Sequence, residues 1–225
     1  MKTTLYILLI FLALTGCSSS NTVKSSARST IKAPVESSQA LYLKGIEAQK
    51  KGFFKQAVKL YQKAANQGHH LAQNALGVKY GRGQGVPQDH KKAFYWLKRS
   101  TDQAPSFNAN FNLALLYIKG IGVDKDYTKA INNFQIASQL GNVDATNWLG
   151  QIYEKGLGVN ADIEKARLYY IDAATKGNSA AINNLGNLAQ RGKKYKQARQ
   201  WYEKAKKLGS KVAIKNIDTL NKRGL

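Results

Sequence analysis

The sequence of 225 residues predicts an all-α chain, a solenoid of about five helical hairpins closed by a C-terminal capping helix. Three observations lead there. Segments of one pattern recur at Leu76-Gly77 to Gly83-Gln84-Gly85-Val86, at Leu113-Ala114 to Gly120-Ile121-Gly122-Val123, and at Leu149-Gly150 to Gly156-Leu157-Gly158-Val159. Each contains a tyrosine (Tyr80, Tyr117, Tyr153) and is followed by an aspartate (Asp89, Asp126, Asp162) and, four residues later, by an alanine (Ala93, Ala130, Ala166). Those alanines lie 37 and 36 residues apart, with Ala57 36 before the first and Ala198 32 after the last. Within each unit apolar residues return every three or four positions, the period of an amphipathic helix.

Residues 1–16 precede the solenoid and read as an export signal. Lys2 supplies the charged start and Leu5 to Leu14 an apolar run, which is too short to span a bilayer core of roughly 30 Å as a helix. Cys17 is the only cysteine, and Leu14-Thr15-Gly16-Cys17 resembles the lipobox of bacterial lipoproteins. The resemblance implies that Cys17 is acylated and becomes the first residue of the mature chain. Ser18 in place of an aspartate then implies sorting to the outer membrane, facing the periplasm. Residues 17–39 are serine-rich with little apolar periodicity and are expected to form a flexible tether with a reach on the order of 25 Å. The solenoid is expected over residues 40–225.

Each element of a hairpin has a local reason. Glycines end the first helix, because the stop often needs a positive φ. Each aspartate is placed to N-cap the second helix, its carboxylate accepting a free amide hydrogen of the first turn. Ala93, Ala130, Ala166 and Ala198 are small where two helices cross closely, while Trp96, Phe134, Tyr169, Tyr170, Trp201 and Tyr202 are expected to fill the space between hairpins. The first unit, Ala40 to Gly68, and the last, Ala181 to Gly209, lack the Gly-x-Gly-Val insertion. Ala213 to Leu220 repeats the start of a hairpin and then stops, so a lone helix with its lysines in water is expected there.

In the order Leu-Gly, Tyr, Gly-x-Gly-Val, Asp, Lys-Ala and an aromatic pair, the units resemble Sel-one-like repeats, relatives of the tetratricopeptide repeat. The resemblance covers roughly residues 40 to 211 and implies a right-handed solenoid. It carries over no activity: secreted members linked to β-lactam binding have a disulfide in each repeat, which a chain with one cysteine cannot make.

A solenoid offers the inner row of first helices to a partner. On that row Asn147, Gln151 and Glu154 form one stripe, and Asn183, Asn187 and Gln190 another, with Arg191 just beyond. Asn74 begins the same stripe earlier. A row of amides can hold the backbone of an extended peptide; a merely solvated helix face fits the pattern equally well. In the middle unit the stripe is Phe111, Leu115 and Ile118, and its other side is apolar too. These three are expected either to anchor an apolar partner or to be buried against a neighbouring helix or the tether.

The formal net charge is +22, and from Arg191 to Arg223 twelve Lys/Arg face only Glu203 and Asp218. Such a field favours acidic proteins or anionic polymers. Nucleic acid is not expected as the partner of an exported chain. His69, His70 and His90 are the only histidines and fall in turns with no cysteine or acidic cluster, so no metal, cofactor or catalytic site is expected. The sequence thus reads as a lipid-anchored, non-catalytic scaffold of the cell envelope that binds another protein or peptide. The alternatives are an immunity-type lipoprotein that neutralises a toxin and a basic-surface binder of anionic envelope polymers.

Overall fold

The computed structural model describes residues 36–224; Cys17, the export signal and most of the expected tether lie outside them. Eleven helices make up the described chain, with no strand among the described residues. They are α1 (Ser38–Lys50), α2 (Phe54–Asn66), α3 (His70–Arg82), α4 (His90–Gln103), α5 (Phe107–Lys119), α6 (Tyr127–Gln139), α7 (Val143–Lys155), α8 (Ile163–Thr175), α9 (Ser179–Arg191), α10 (Tyr195–Lys207) and α11 (Lys211–Lys222). Consecutive pairs from α1–α2 to α9–α10 are five hairpins, and α11 packs on the last as a first helix without a partner. The helices begin at Ser38, inside the segment expected to be tether, because the Ser37 hydroxyl accepts from the Ala40 amide at 3.2 Å.

Capping follows the sequence pattern closely. Asp89, Asp126 and Asp162 accept from the amides of Lys92, Lys129 and Lys165 at 2.9, 2.9 and 2.8 Å. Gly83, Gly120 and Gly156 end their helices in the left-handed region, at φ 65°, 67° and 67°. The histidines stand at helix starts as well. His69 N-caps α3, its Nδ1 accepting from the Ala72 amide at 3.2 Å while the ring stacks on Tyr42 and its Nε2 meets Gln39 at 2.7 Å.

Within a hairpin, one large side chain of the second helix presses on the smallest residue of the first. Tyr61 lies on Gly45, Leu97 on Gly77, Tyr170 on Gly150 and Tyr202 on Gly186, and a Cβ on any of these glycines would collide with that side chain. The middle hairpin carries Ala114 at this position. Phe134, Tyr170 and Tyr202 therefore pack on the first helix of their own hairpins and also fill the space to the next first helix, as the spacing suggested; all three are fully buried. Ala57, Ala93, Ala130, Ala166 and Ala198 are buried at the helix crossings, as their spacing implied.

The Gly-x-Gly-Val insertions join one hairpin to the one before it. A Cβ on Gly85 would strike the backbone of Phe54, one on Gly122 the backbone of His90, and one on Gly158 the Tyr127 side chain. Phe54, His90 and Tyr127 are the first residues of α2, α4 and α6. Each insertion thus sits on the start of the preceding second helix. Its valine (Val86, Val123 or Val159) packs against the core there.

Candidate partner-binding surface

The first helices align at five buried alanines, Ala72, Ala109, Ala145, Ala181 and Ala213. Counting from them shows what the polar stripe does. Two residues after the alanine stand Asn74, Phe111, Asn147 and Asn183; three after it, in the following first helix, stand Asn112, Trp148, Asn184 and Asn216. The amides pair across hairpins. Asn112 donates to Asn74 Oδ1 at 3.4 Å, Asn184 to Asn147 Oδ1 at 3.0 Å, and Asn216 to Asn183 Oδ1 at 2.9 Å. The stripe is therefore an amide ladder that ties successive hairpins together.

Asn147 and Asn183 are 6% and 5% exposed. This corrects the expectation that both face a partner, because their oxygens are consumed inside the solenoid and little of their surface remains. Asn74 is half-buried on the same ladder, and Gln151 stays half-buried beside it.

One rung is apolar. At the junction of the third and fourth hairpins Phe111 and Trp148 replace the two asparagines and both pack on Phe134. Phe111 meets it edge-on at 5.8 Å between ring centres, and Trp148 stacks on it at 5.7 Å and 6°. Phe111 and Leu115 are half-buried against this cluster, and Ile118 is only 8% exposed. Ile118 is thus a core residue and not an open anchor, again a correction.

Its burial has a chemical cause. Nine residues after the reference alanine, α7 has Glu154 and α9 has Gln190, each accepting the tyrosine hydroxyl that presses on its glycine. Tyr170 donates to Glu154, and Tyr202 donates to Gln190 Oε1 at 2.6 Å and lies 2.9 Å from Asn187 Oδ1. Tyr61 does the same to Gln49 at 3.3 Å. Phe134 has no hydroxyl to satisfy, so the corresponding position needs no acceptor and is Ile118.

What remains open is at the C-terminal end of the row. Asn187, Gln190 and Arg191 converge there with Glu154, Asn216 and Arg223 on a groove of about 500 Å³, closed at one side by Tyr195. Arg191 forms an ion pair with Glu154, whose side chain is 12% exposed against 57% for the arginine. Tyr202 occupies the Gln190 oxygen, and Asn216 donates to Asn187 Oδ1 at 3.3 Å, which leaves the amide N–H groups of Asn187 and Gln190 as donors for the groove. Burial pushes the Tyr202 hydroxyl up to about 12, with Arg191 opposing, so it stays a donor at every physiological pH. Burial, then the Glu154 carboxylate, raise Tyr170 as well. The groove therefore presents hydrogen-bond donors and two guanidinium groups and suits carbonyl and carboxylate oxygens.

Sequence reasoning placed Glu154, Asn187, Gln190 and Arg191 of this groove on the first-helix stripes and missed Asn216, Arg223 and Tyr195. Asn216 could have been found from its place 32 residues after Asn184. No group of three or more His, Cys, Asp or Glu is placed to hold a metal, and no helix is long and apolar enough to cross a membrane, among the described residues.

Comparison with known proteins agrees with this architecture. A Sel1 repeat protein from Oxalobacter formigenes superposes with a TM-score of 0.73 at 30% identity, over 83% of this chain and 79% of that one. A protective antigen of uropathogenic Escherichia coli strains with an SLR fold superposes with a TM-score of 0.74 at 28% identity, over 83% of this chain and 42% of that one. An ERAD-associated E3 ubiquitin-protein ligase component of Arabidopsis thaliana, HRD3B, is 40% identical over 77 residues, 33% of this chain and 11% of that protein. The chain thus spans a small part of that relative's length. The Sel1 repeat model matches residues 40–69, 70–105, 108–142, 143–178 and 179–210, which are the five hairpins. Proteins built of these repeats are protein-interaction scaffolds and are generally non-catalytic. This chain belongs to the Sel1 repeat family.

Proposed function

We propose that this chain is a membrane-tethered scaffold of the cell envelope that holds a segment of another protein in the groove at the C-terminal end of its first-helix row. The observation that carries the reading is the convergence of side chains from α7, α9 and α11 on one open, donor-rich groove. The partner segment is acidic or extended. Arg191 and Arg223 supply charge, and Asn187 and Gln190 supply donors to backbone carbonyls. The exposed lysines of α10 and α11 add to the positive field of this end of the chain and would speed the approach of an acidic partner.

The tether follows from the resemblance of Leu14 to Cys17 to a lipobox. Acyl chains on Cys17, each buried methylene contributing about 0.8 kcal/mol, would keep the solenoid at a membrane surface, with the outer membrane facing the periplasm as the proposed site.

Photocrosslinking tests the reading. A benzophenone side chain at Gln190 should yield one dominant protein adduct from envelope extracts, and the same group at Lys206, on the second-helix side, should not. The adduct should vanish in the Arg191→Glu, Arg223→Glu double variant while circular dichroism is unchanged. An adduct that survives both charge reversals would remove the groove from the function.

A further inference from the structure

The fourth junction lacks a part that the first three possess. In hairpins two, three and four the insertion lies on the start of the preceding second helix and seats its valine between neighbouring hairpins. Hairpin five has no insertion: only Gly192, Lys193 and Lys194 join α9 to α10, against the seven residues 156–162 between α7 and α8. By the same geometry the missing loop would rest on Ile163, the first residue of α8. The structure has an open groove of about 340 Å³ at that spot, walled by Ile163, Ile171, Leu185, Leu188 and Trp201. Ile163 is 46% exposed.

The charge around this groove is one-sided. In hairpins two to four an aspartate follows the insertion's valine by three residues and caps the next helix. At the corresponding place hairpin five has Lys194, which makes no side-chain cap. Lys194 lines the groove, its chain neighbours Lys193 and Lys196 are exposed, and the carboxylate in the groove wall, Glu164, is already held by Arg167.

We infer that this groove is a second protein-binding site, which takes from a partner the loop that hairpin five does not supply: a short segment with a small branched aliphatic residue followed within three residues by an Asp or Glu. The chain's own insertions define the shape, since three of them fill equivalent grooves. The exposed lysines define the charge. The site lies on the other side of α9 from the groove at Arg191 and uses none of its residues, so each site can fail without the other.

The test uses the full chain and a fluorescently labelled peptide with the sequence of residues 156–162, Gly-Leu-Gly-Val-Asn-Ala-Asp. Titration should give a saturable rise in anisotropy. Replacing the peptide's valine by aspartate, or the groove's Ile163→Asp, should weaken binding about tenfold or more, the loss expected when a buried branched side chain no longer leaves water. Ile163 is exposed, so that variant keeps its fold. Grafting the same seven residues in place of Gly192 to Lys194 should fill the groove and abolish binding. Absence of saturable binding, binding indifferent to the valine, or binding that persists in a folded grafted chain would each overturn the inference.

Discussion

The junction between the third and fourth hairpins and the junctions that follow it solve one packing problem with opposite chemistry. In the middle, Phe111 and Trp148 close on Phe134, and Ile118 fills the place beside the ring. Toward the C-terminus, asparagines pair across helices and tyrosine hydroxyls find acceptors nine positions after the reference alanine. The backbone positions are the same. The apolar version owes its stability to area removed from water, whereas the polar version gains little per hydrogen bond and costs a great deal if one partner is lost. The polar version also leaves donors at the surface, and the donor-rich groove lies beside it.

The comparison can be broken most severely at Phe134. Phe134→Ala should cost about 3–5 kcal/mol and lower the denaturant midpoint, because it empties the space under two aromatic rings at once. Phe111→Ala should cost about half as much, since that ring is half-buried; equal losses in urea titrations would show that the apolar rung is not organised around Phe134.

Exchange of the rungs sharpens the contrast. Phe111→Asn and Trp148→Asn, each alone, should destabilise more than half of what the double variant does. The pair can then restore an amide rung, with a coupling of about 1 kcal/mol in a double-mutant cycle. Tyr202→Phe should cost about 1 kcal/mol by leaving Gln190 without its donor, while Asn187 keeps that of Asn216, and Gln190→Ile in that background should recover part of it, by imitation of Phe134 with Ile118.

The smallest effect is alkaline. Tyr202 has its folded pKa raised to about 12 from about 10, so the stability it contributes is complete below pH 10 and is lost as pH rises toward 12. Hydrogen exchange should show the last hairpins loosening in that window, with the helices that meet at Phe111, Phe134 and Trp148, side chains without an ionisable group, better protected.

The hairpins, the caps at Asp89, Asp126 and Asp162 and the small residues at the crossings were legible in the sequence because each depends on neighbours within a few residues. The ladder was not. Spacing within one helix tells which face Asn147 and Asn183 share, but not that Asn184 and Asn216 of the following helices lie opposite them. An amide facing a groove and an amide facing another amide have the same helical period. Ile118 was misplaced for a related reason, since its environment is decided by the absence of one oxygen on Phe134, sixteen residues away in a different helix. Of the groove, Asn187, Gln190 and Arg191 were visible as a stripe; Asn216 and Arg223 come from the lone last helix, which is adjacent only after folding.

The cap on α3 gives the opposite end of the solenoid its own sensitivity. His69 can accept from Ala72 only while Nδ1 carries no proton, and burial, followed by the charge of His70, lowers its pKa. A lowered histidine pKa stabilises the fold above the unfolded value near 6.5 and ceases to do so as acidity rises through the folded one. In mild acid the first turn of α3 would lose its acceptor and the Tyr42 stack would gain a cation. The boundary between the first two hairpins is where souring surroundings would be felt first.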